Sequence, residues 1–289
     1  MGGWIGHHPL STGDSDMSRR IGIVGYGKLG QHLVRTVTDA ADLELAFVWN
    51  RDPAGIGPEI PAEQRLGQLE DFAQFEPDLV VEVAHPTITW EHGARFLSHC
   101  NYLAGSPTAF ARDGVEDEMR KRADNGEGRG LYIPRGALPG LSEVLRMVEA
   151  GKLGAAEICM QKHPSSLKYG RELDPPLSAT ATERTIYDGP LRELCALAPN
   201  NVNTMAVLAL ASQLGFDSVR AKLVADPSLE HHITSVRLLG HDSGGPRYSL
   251  DLVRKAPAGA GAVTSIATLS TFAASMLGAH GRGAGVHFC

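Results

Sequence analysis

Along the first half of the chain, short apolar runs alternate with stretches whose apolar positions recur every three or four residues. That rhythm predicts successive βαβ units and a parallel sheet. Ile21-Gly22-Ile23-Val24 predicts a first strand, Gln31 to Val37 a helix and Leu43 to Trp49 a second strand. Asp78 to Val83, bounded by Pro77 and Pro86, predicts a third strand. A helix over Trp90 to His99, a strand at Tyr102-Leu103-Ala104, a helix over Val115 to Ala123 and a strand over Gly130 to Ile133 complete this half.

After Pro134-Arg135-Gly136-Ala137 the pattern changes to a helix over Leu141 to Ala150 and longer extended stretches. These lie around Ala156–Gln161, Ser218–Ala225, Ile233–Leu239 and Tyr248–Arg254, and they predict a mixed or antiparallel sheet. Between them Val202 to Leu214 is apolar at nearly every position, as in a helix buried between domains or against a sheet. The fold class is therefore α/β, a Rossmann-type parallel sheet followed by a second α/β (α+β) domain with a mixed sheet.

Length and composition narrow the function. The 289 residues suit two linked domains, and 43% hydrophobic with 21% charged residues is ordinary for a globular chain. Lys and Arg number 27 against 33 for Asp and Glu, a net charge of −6, which argues against a nucleic-acid or anionic-membrane partner. The four cysteines are widely spaced, with no Cys-x-x-Cys, so neither a metal site nor a disulfide framework is expected, and a reducing cytoplasmic setting fits. Ala256 to Gly281 carries no charge, but its hydroxyl residues and the spacing of Val263, Ile266, Leu269 and Phe272 predict a buried helix rather than a membrane span. The first residues lack a secretory apolar run and are expected to form a flexible extension.

The strongest motif is Gly25-Tyr26-Gly27-Lys28-Leu29-Gly30, set between the first strand and the first helix. Gly25 allows the tight turn, Gly27 admits a pyrophosphate to the backbone, and Gly30 lets helix and strand approach. The amides at Lys28 and Leu29 and the helix dipole favour an anion. NAD or NADP is the cofactor this implies. At the end of the second strand, where an acid would bind the ribose 2′-hydroxyl, stand Asn50 and Arg51; Arg51 at least tolerates a 2′-phosphate, while Asp52 can turn in toward the ribose.

The loop Glu82-Val83-Ala84-His85-Pro86 follows a strand at its ligand-binding end, so Ala84 and His85 should lie near the nicotinamide, His85 as a cleft-lining residue or as an acid or base. Lys162-His163-Pro164 ends a strand and either presents positive charge to a carboxylate or is only an exposed strand end. Asn201 and Asn203 either cap the apolar helix or hydrogen-bond a ligand. The pair His231-His232 has no third ligand at metal spacing, so proton transfer is the better reading.

Taken together these motifs, with Gly136-Ala137-Leu138-Pro139-Gly140, Pro199-Asn200-Asn201-Val202-Asn203 and Val224-Ala225-Asp226-Pro227, resemble the L-aspartate dehydrogenase family. The likeness is greatest to its animal branch, the aspartate dehydrogenase domain-containing proteins, and runs from about Arg20 to the C-terminus. The resemblance implies reversible NAD- or NADP-dependent oxidation of L-aspartate, a dicarboxylic amino acid, by a homodimer. It implies His232 as the active-site histidine with His231 in reserve, and Ala137 and Asn203 on the cofactor; Lys162, His163 and Arg135, where the chain departs from the family's pattern, are the candidates to neutralise the carboxylates. It implies a dinucleotide-binding domain over 19–139, a catalytic and dimerisation domain over 140–262, and a helix within 263–289 packing back on the first domain. Residues 1–18 are left as the extension. A dehydrogenase of another amino or hydroxy acid, or a non-catalytic cofactor-binding regulator, are the alternatives.

Overall fold

The computed structural model describes residues 18–262 and 266–289; the expected extension falls, but for its last residue, outside them, as do Thr264 and Ser265 of the expected final helix. The first unit runs β1 (Arg19–Val24), α1 (Lys28–Asp39), β2 (Leu43–Trp49), β3 (Leu79–Glu82), α2 (Pro86–Ile88), α3 (Ala94–Leu97), β4 (Asn101–Ala104), α4 (Val115–Ala123) and β5 (Gly130–Ile133). The second runs α5 (Leu141–Glu149), β6 (Leu153–Lys162), β7 (Arg184–Pro190), α6 (Leu191–Leu197), α7 (Asn203–Ser212), α8 (Gly215–Ser218), β8 (Arg220–Ala225), β9 (His231–Gly240) and β10 (Ser249–Pro257). The chain then returns to the first unit with α9 (Ile266–Leu277) and β11 (Gly285–Phe288).

The first sheet is parallel throughout, in the order β11-β5-β4-β3-β1-β2. Its central strands are buried on both faces, which is why they read as unbroken apolar runs. Chain order reverses at β1: β2 lies on one side and β3 on the other, so a crevice opens beyond the carboxyl ends of β1 and β3. The second sheet is mixed, β10-β9-β6-β8-β7, with only β6 and β8 parallel.

One apolar cluster continues from Phe47 and Tyr102 of the first unit into Val207 and Leu223 of the second, so the two sheets share a core. Helix α7 is its axis. From Thr204 to Ser212 every residue is buried, among α5, α6, β6 and the short turn Pro107–Ala111. Its N-terminal end is thereby held at the crevice. Helix α9 places Phe272, Ala273 and Met276 in the other cluster, with Ile21, Leu33 and Val81 of the first sheet.

Three parts of the sequence reading change. The helix expected from Trp90 begins at Pro86 and passes through a wide π-turn over Thr89–Gly93. Strand β7 was not anticipated; it is an edge strand, half-exposed on both faces and ending in Gly189-Pro190, so it lacks alternation. Strand β11 was not anticipated either, because four residues after a glycine-rich stretch carry no local pattern. Among the described residues no helix is long and apolar enough to cross a membrane.

Candidate active site

The glycine loop forms one wall of the crevice, and its three glycines differ in what constrains them. Gly25 has φ 112°, and a Cβ there would stand 2.9 Å from the Ala84 nitrogen. A Cβ on Gly30 would collide with the Gly25 carbonyl oxygen. A Cβ on Gly27 would meet nothing within 4 Å among the described residues. The fold itself makes no steric demand for glycine at 27, and the free space lies over the N-terminus of α1. That terminus has no side-chain cap and no acidic residue in its first turn. Gln31 is the first residue to reach back, to the Gly27 carbonyl at 2.9 Å, so the amides of Lys28, Leu29 and Gly30 have no acceptor within the helix. Open space, bare amides and a positive dipole end fit a pyrophosphate.

The loops after β3 and β4 are tied by Glu82, which is completely buried. Its carboxyl accepts from the amides of Ala84 at 2.7 Å, His85 at 2.8 Å and Ser106 at 2.9 Å, and from the Ser106 hydroxyl at 3.1 Å. Burial pushes this group up to about 7, while the four donors pull the other way. It is a brace beneath the crevice, not a group facing it.

The second sheet supplies the opposite wall, and strand alternation decides which residues face inward. On β6 the inward set is Ala156, Ile158, Met160 and Lys162; on β9 it includes His232 and Thr234; on β10 it includes Arg254 and Ala256. Met160, Lys162, His232, Thr234, Arg254 and Ala256 all line one cleft. Leu29, Gly105, Ala137, Asn203 and Phe272 close it from the other side, so both units contribute.

Lys162 is buried, and its only polar contact among the described residues is the Asn201 carbonyl, 3.2 Å from Nζ. Burial lowers it to about 8. The backbone of Asn201 is anchored in turn by its own amide, which donates to the Ser166 carbonyl at 2.9 Å and accepts from the Lys168 amide at 2.8 Å. Arg254 contacts the Gly136 carbonyl at 3.3 Å and pairs with no carboxylate among the described residues; burial and the nearby charge of Arg135 lower it. His232 has the Ala262 backbone as a hydrogen-bond partner, while its Nε2 is buried without any among the described residues. Burial, then the Lys162 charge, lower His232 to about 4, so the imidazole is neutral near pH 7. Two cations and a neutral imidazole with an open nitrogen make an anion site beside a proton acceptor.

Of the residues singled out from sequence, Leu29, Ala137, Lys162, Asn203 and His232 meet in this cleft. Asn203 does not cap α7, whose N-cap is Val202 with no side-chain bond; its Oδ1 accepts from the Thr108 hydroxyl at 3.1 Å, which leaves the amide NH2 to donate. His163 is not brought in: its Nδ1 accepts from the Ser165 amide at 3.2 Å and contacts the Ser165 hydroxyl at 2.7 Å, capping the next turn. His85 likewise caps α2 by accepting from the Thr87 amide, outside the cleft lining. His231 alternates to the other face of β9, and Arg135 is exposed. Asn50, Arg51 and Ala84 stand at the rim of the first sheet, away from the cleft. Arg254 and Thr234 were missed. The available signal was a charge on the inward phase of an otherwise apolar alternation, Leu250, Leu252, Arg254, Ala256.

The family described as "Homoserine dehydrogenase, NAD binding domain" matches residues 25–134, and "Aspartate dehydrogenase, C-terminal" matches 143–276. An aspartate dehydrogenase domain-containing protein of Danio rerio is 41% identical over 280 residues, 95% of this chain and 100% of its own. An L-aspartate dehydrogenase of a Thermotoga species is 28% identical over 220 residues, 75% of this chain and 80% of its own. The crystal structure of aspartate dehydrogenase from Thermotoga maritima superposes with a TM-score of 0.65 at 24% identity, over 93% of this chain and 98% of that one, and shows the same fold. The glycine-loop unit is thus an NAD-binding domain, for NAD or NADP, in an oxidoreductase of the dehydrogenase type. Identity across nearly its whole length places the chain in the aspartate dehydrogenase family, beside the animal aspartate dehydrogenase domain-containing proteins.

Proposed function

We propose that the chain oxidises L-aspartate to iminosuccinate, which water hydrolyses to oxaloacetate and ammonia, and that it runs this reaction reversibly. The observation that carries the reading is the grouping of Lys162, Arg254 and the open Nε2 of His232 at one end of a cleft that Leu29 of the glycine loop also lines. The bound nicotinamide supplies a hydride acceptor for the substrate Cα–H.

In this reading Lys162 and Arg254 neutralise the two carboxylates and so hold Cα in one orientation, which supplies much of the rate. The amide of Asn203, its oxygen already engaged by Thr108, donates to the nicotinamide carboxamide or to the substrate. Neutral His232 takes the proton that leaves the substrate ammonium. In the ligand-free site, lowered to about 4 by burial and the Lys162 charge, it is a weak base. A bound dianion beside it offsets the Lys162 charge and raises its basicity at the moment it is needed. On the same reading the protein is a homodimer, with the exposed outer face of the second sheet, which carries the Arg220–Asp188 and Arg237–Asp251 pairs, as the candidate seam.

The test is turnover of purified protein with L-aspartate and either dinucleotide, following reduced cofactor and released ammonia together. Reduction without ammonia, or turnover of hydroxy acids in preference to aspartate, would replace the amino-acid reading with a hydroxy-acid one.

A further inference from the structure

At the far end of the crevice the loop after β2 is organised around Asn50. Its Oδ1 accepts from the Tyr26 amide at 3.2 Å, and its Nδ2 donates to the Asp52 carbonyl at 2.8 Å. The orientation is set by the Tyr26 N–H, which needs an acceptor. A Cβ on Gly55 would stand 2.9 Å from that same Nδ2, so the turn is packed onto the amide. An aspartate at position 50 would set a carboxylate oxygen against the Asp52 carbonyl. The acid that reads a ribose 2′-hydroxyl in NAD-selective domains is absent, and this loop would disfavour it.

The two nearest carboxylates are engaged elsewhere. Asp52 accepts from the Ala54 amide at 3.1 Å, capping its own turn, and Glu59 accepts from the Tyr26 hydroxyl. Of the other guanidiniums here, Arg65 donates to the carbonyls of Ile60 at 2.9 Å and Gly57 at 3.0 Å, and the charge of Arg35 on α1 acts on Tyr26 and Glu59. Arg51 is the one that directly follows Asn50 at the end of β2. It is exposed and makes no hydrogen bond or ion pair among the described residues. Its charge is felt by His85 in the loop after β3.

We infer that Arg51 is a specificity-determining residue that clamps the 2′-phosphate, and that the chain prefers NADP(H) to NAD(H). A guanidinium presents a planar pair of donors to a phosphate, and a charge-assisted contact of this kind contributes enough to change affinity by about 10- to 100-fold. The inference rests on the dinucleotide domain alone, so it stands or falls independently of which acid is the substrate.

Titration of the full chain with NADPH and NADH by fluorescence, and with 2′,5′-ADP and 5′-AMP by calorimetry, tests it. NADPH and 2′,5′-ADP are expected to bind about 10-fold or more tightly than their partners lacking the phosphate. Arg51→Ala should erase that difference by weakening only the phosphorylated ligands, Arg51→Lys should retain part of it, and Arg51→Glu should invert it. Arg51 is exposed, so these variants leave the fold intact. NADH binding as tightly as NADPH in the unaltered protein, or an Arg51→Ala loss shared equally by both dinucleotides, overturns the inference.

Discussion

The two walls of the cleft do their work with different parts of the chain. The glycine-loop wall offers backbone: uncapped amides at the start of α1, and space over Gly27 that no atom of the described residues claims. The second-sheet wall offers side chains: buried Lys162 and half-buried His232 and Arg254, none paired with a carboxylate among the described residues. Backbone recognition costs the apo protein little, because an open helix end is solvated until its ligand arrives. Side-chain recognition costs stability, because buried charge waits for a counter-charge that the fold does not contain. The contrast teaches that cofactor affinity and substrate chemistry are separable in this molecule and respond to different substitutions.

The largest expected effect lies on the charged wall. His232→Asn should lower turnover by about 10²- to 10⁴-fold while dinucleotide affinity, read by fluorescence titration, stays within about twofold. Equal losses in both would erase the separation of the walls. Lys162→Met should likewise abolish turnover, yet stabilise the ligand-free protein by about 3 kcal/mol at pH 7. The sign follows from the direction of the shift. Lys162 is lowered from 10.5 to about 8, so native protein binds fewer protons than unfolded protein between those values, and wild-type stability rises with pH across that window. Denaturant midpoints should show the Met variant's advantage intact below pH 8 and fading toward 10.5.

Glu82 sharpens the comparison from beneath. Its carboxyl is raised from 4.5 to about 7, so the stability it contributes is fully present below pH 4.5 and is lost as pH rises through 7, a decline of about 3 kcal/mol. Glu82→Gln should flatten that slope whatever its absolute stability, and an unchanged slope would assign the decline to other groups. The smallest effect belongs to the backbone wall. Gly27 already has φ −72°, which alanine adopts freely, so Gly27→Ala should leave the melting temperature unchanged and weaken dinucleotide binding by about 10-fold.

The same contrast explains what could be read before the fold was known. The glycine loop is local: its strand, turn and helix lie within one short stretch, and the spacing of Gly25, Gly27 and Gly30 states its geometry. The parallel strands were legible because burial on both faces leaves continuous apolar runs. The charged wall is assembled by pairing β6, β9 and β10, and no local spacing relates Lys162 to His232 or Arg254. His163 misled because it adjoins Lys162 in sequence, whereas strand alternation and the Pro164 turn send it away. Glu82 was visible within its motif, but its bracing role depends on Ser106, which only the β3–β4 pairing brings close.

Strand β11 carries one more consequence. Its partner β5 is parallel and far upstream; the contact between Cys289 and Ile133 spans 156 positions of chain, with the whole second sheet between. Loop closure of that length is slow, and β11 is synthesised only after the ten strands that precede it in the chain. The nucleotide-binding half therefore acquires its sixth strand last, and its maturation is bound to that of the half that follows it.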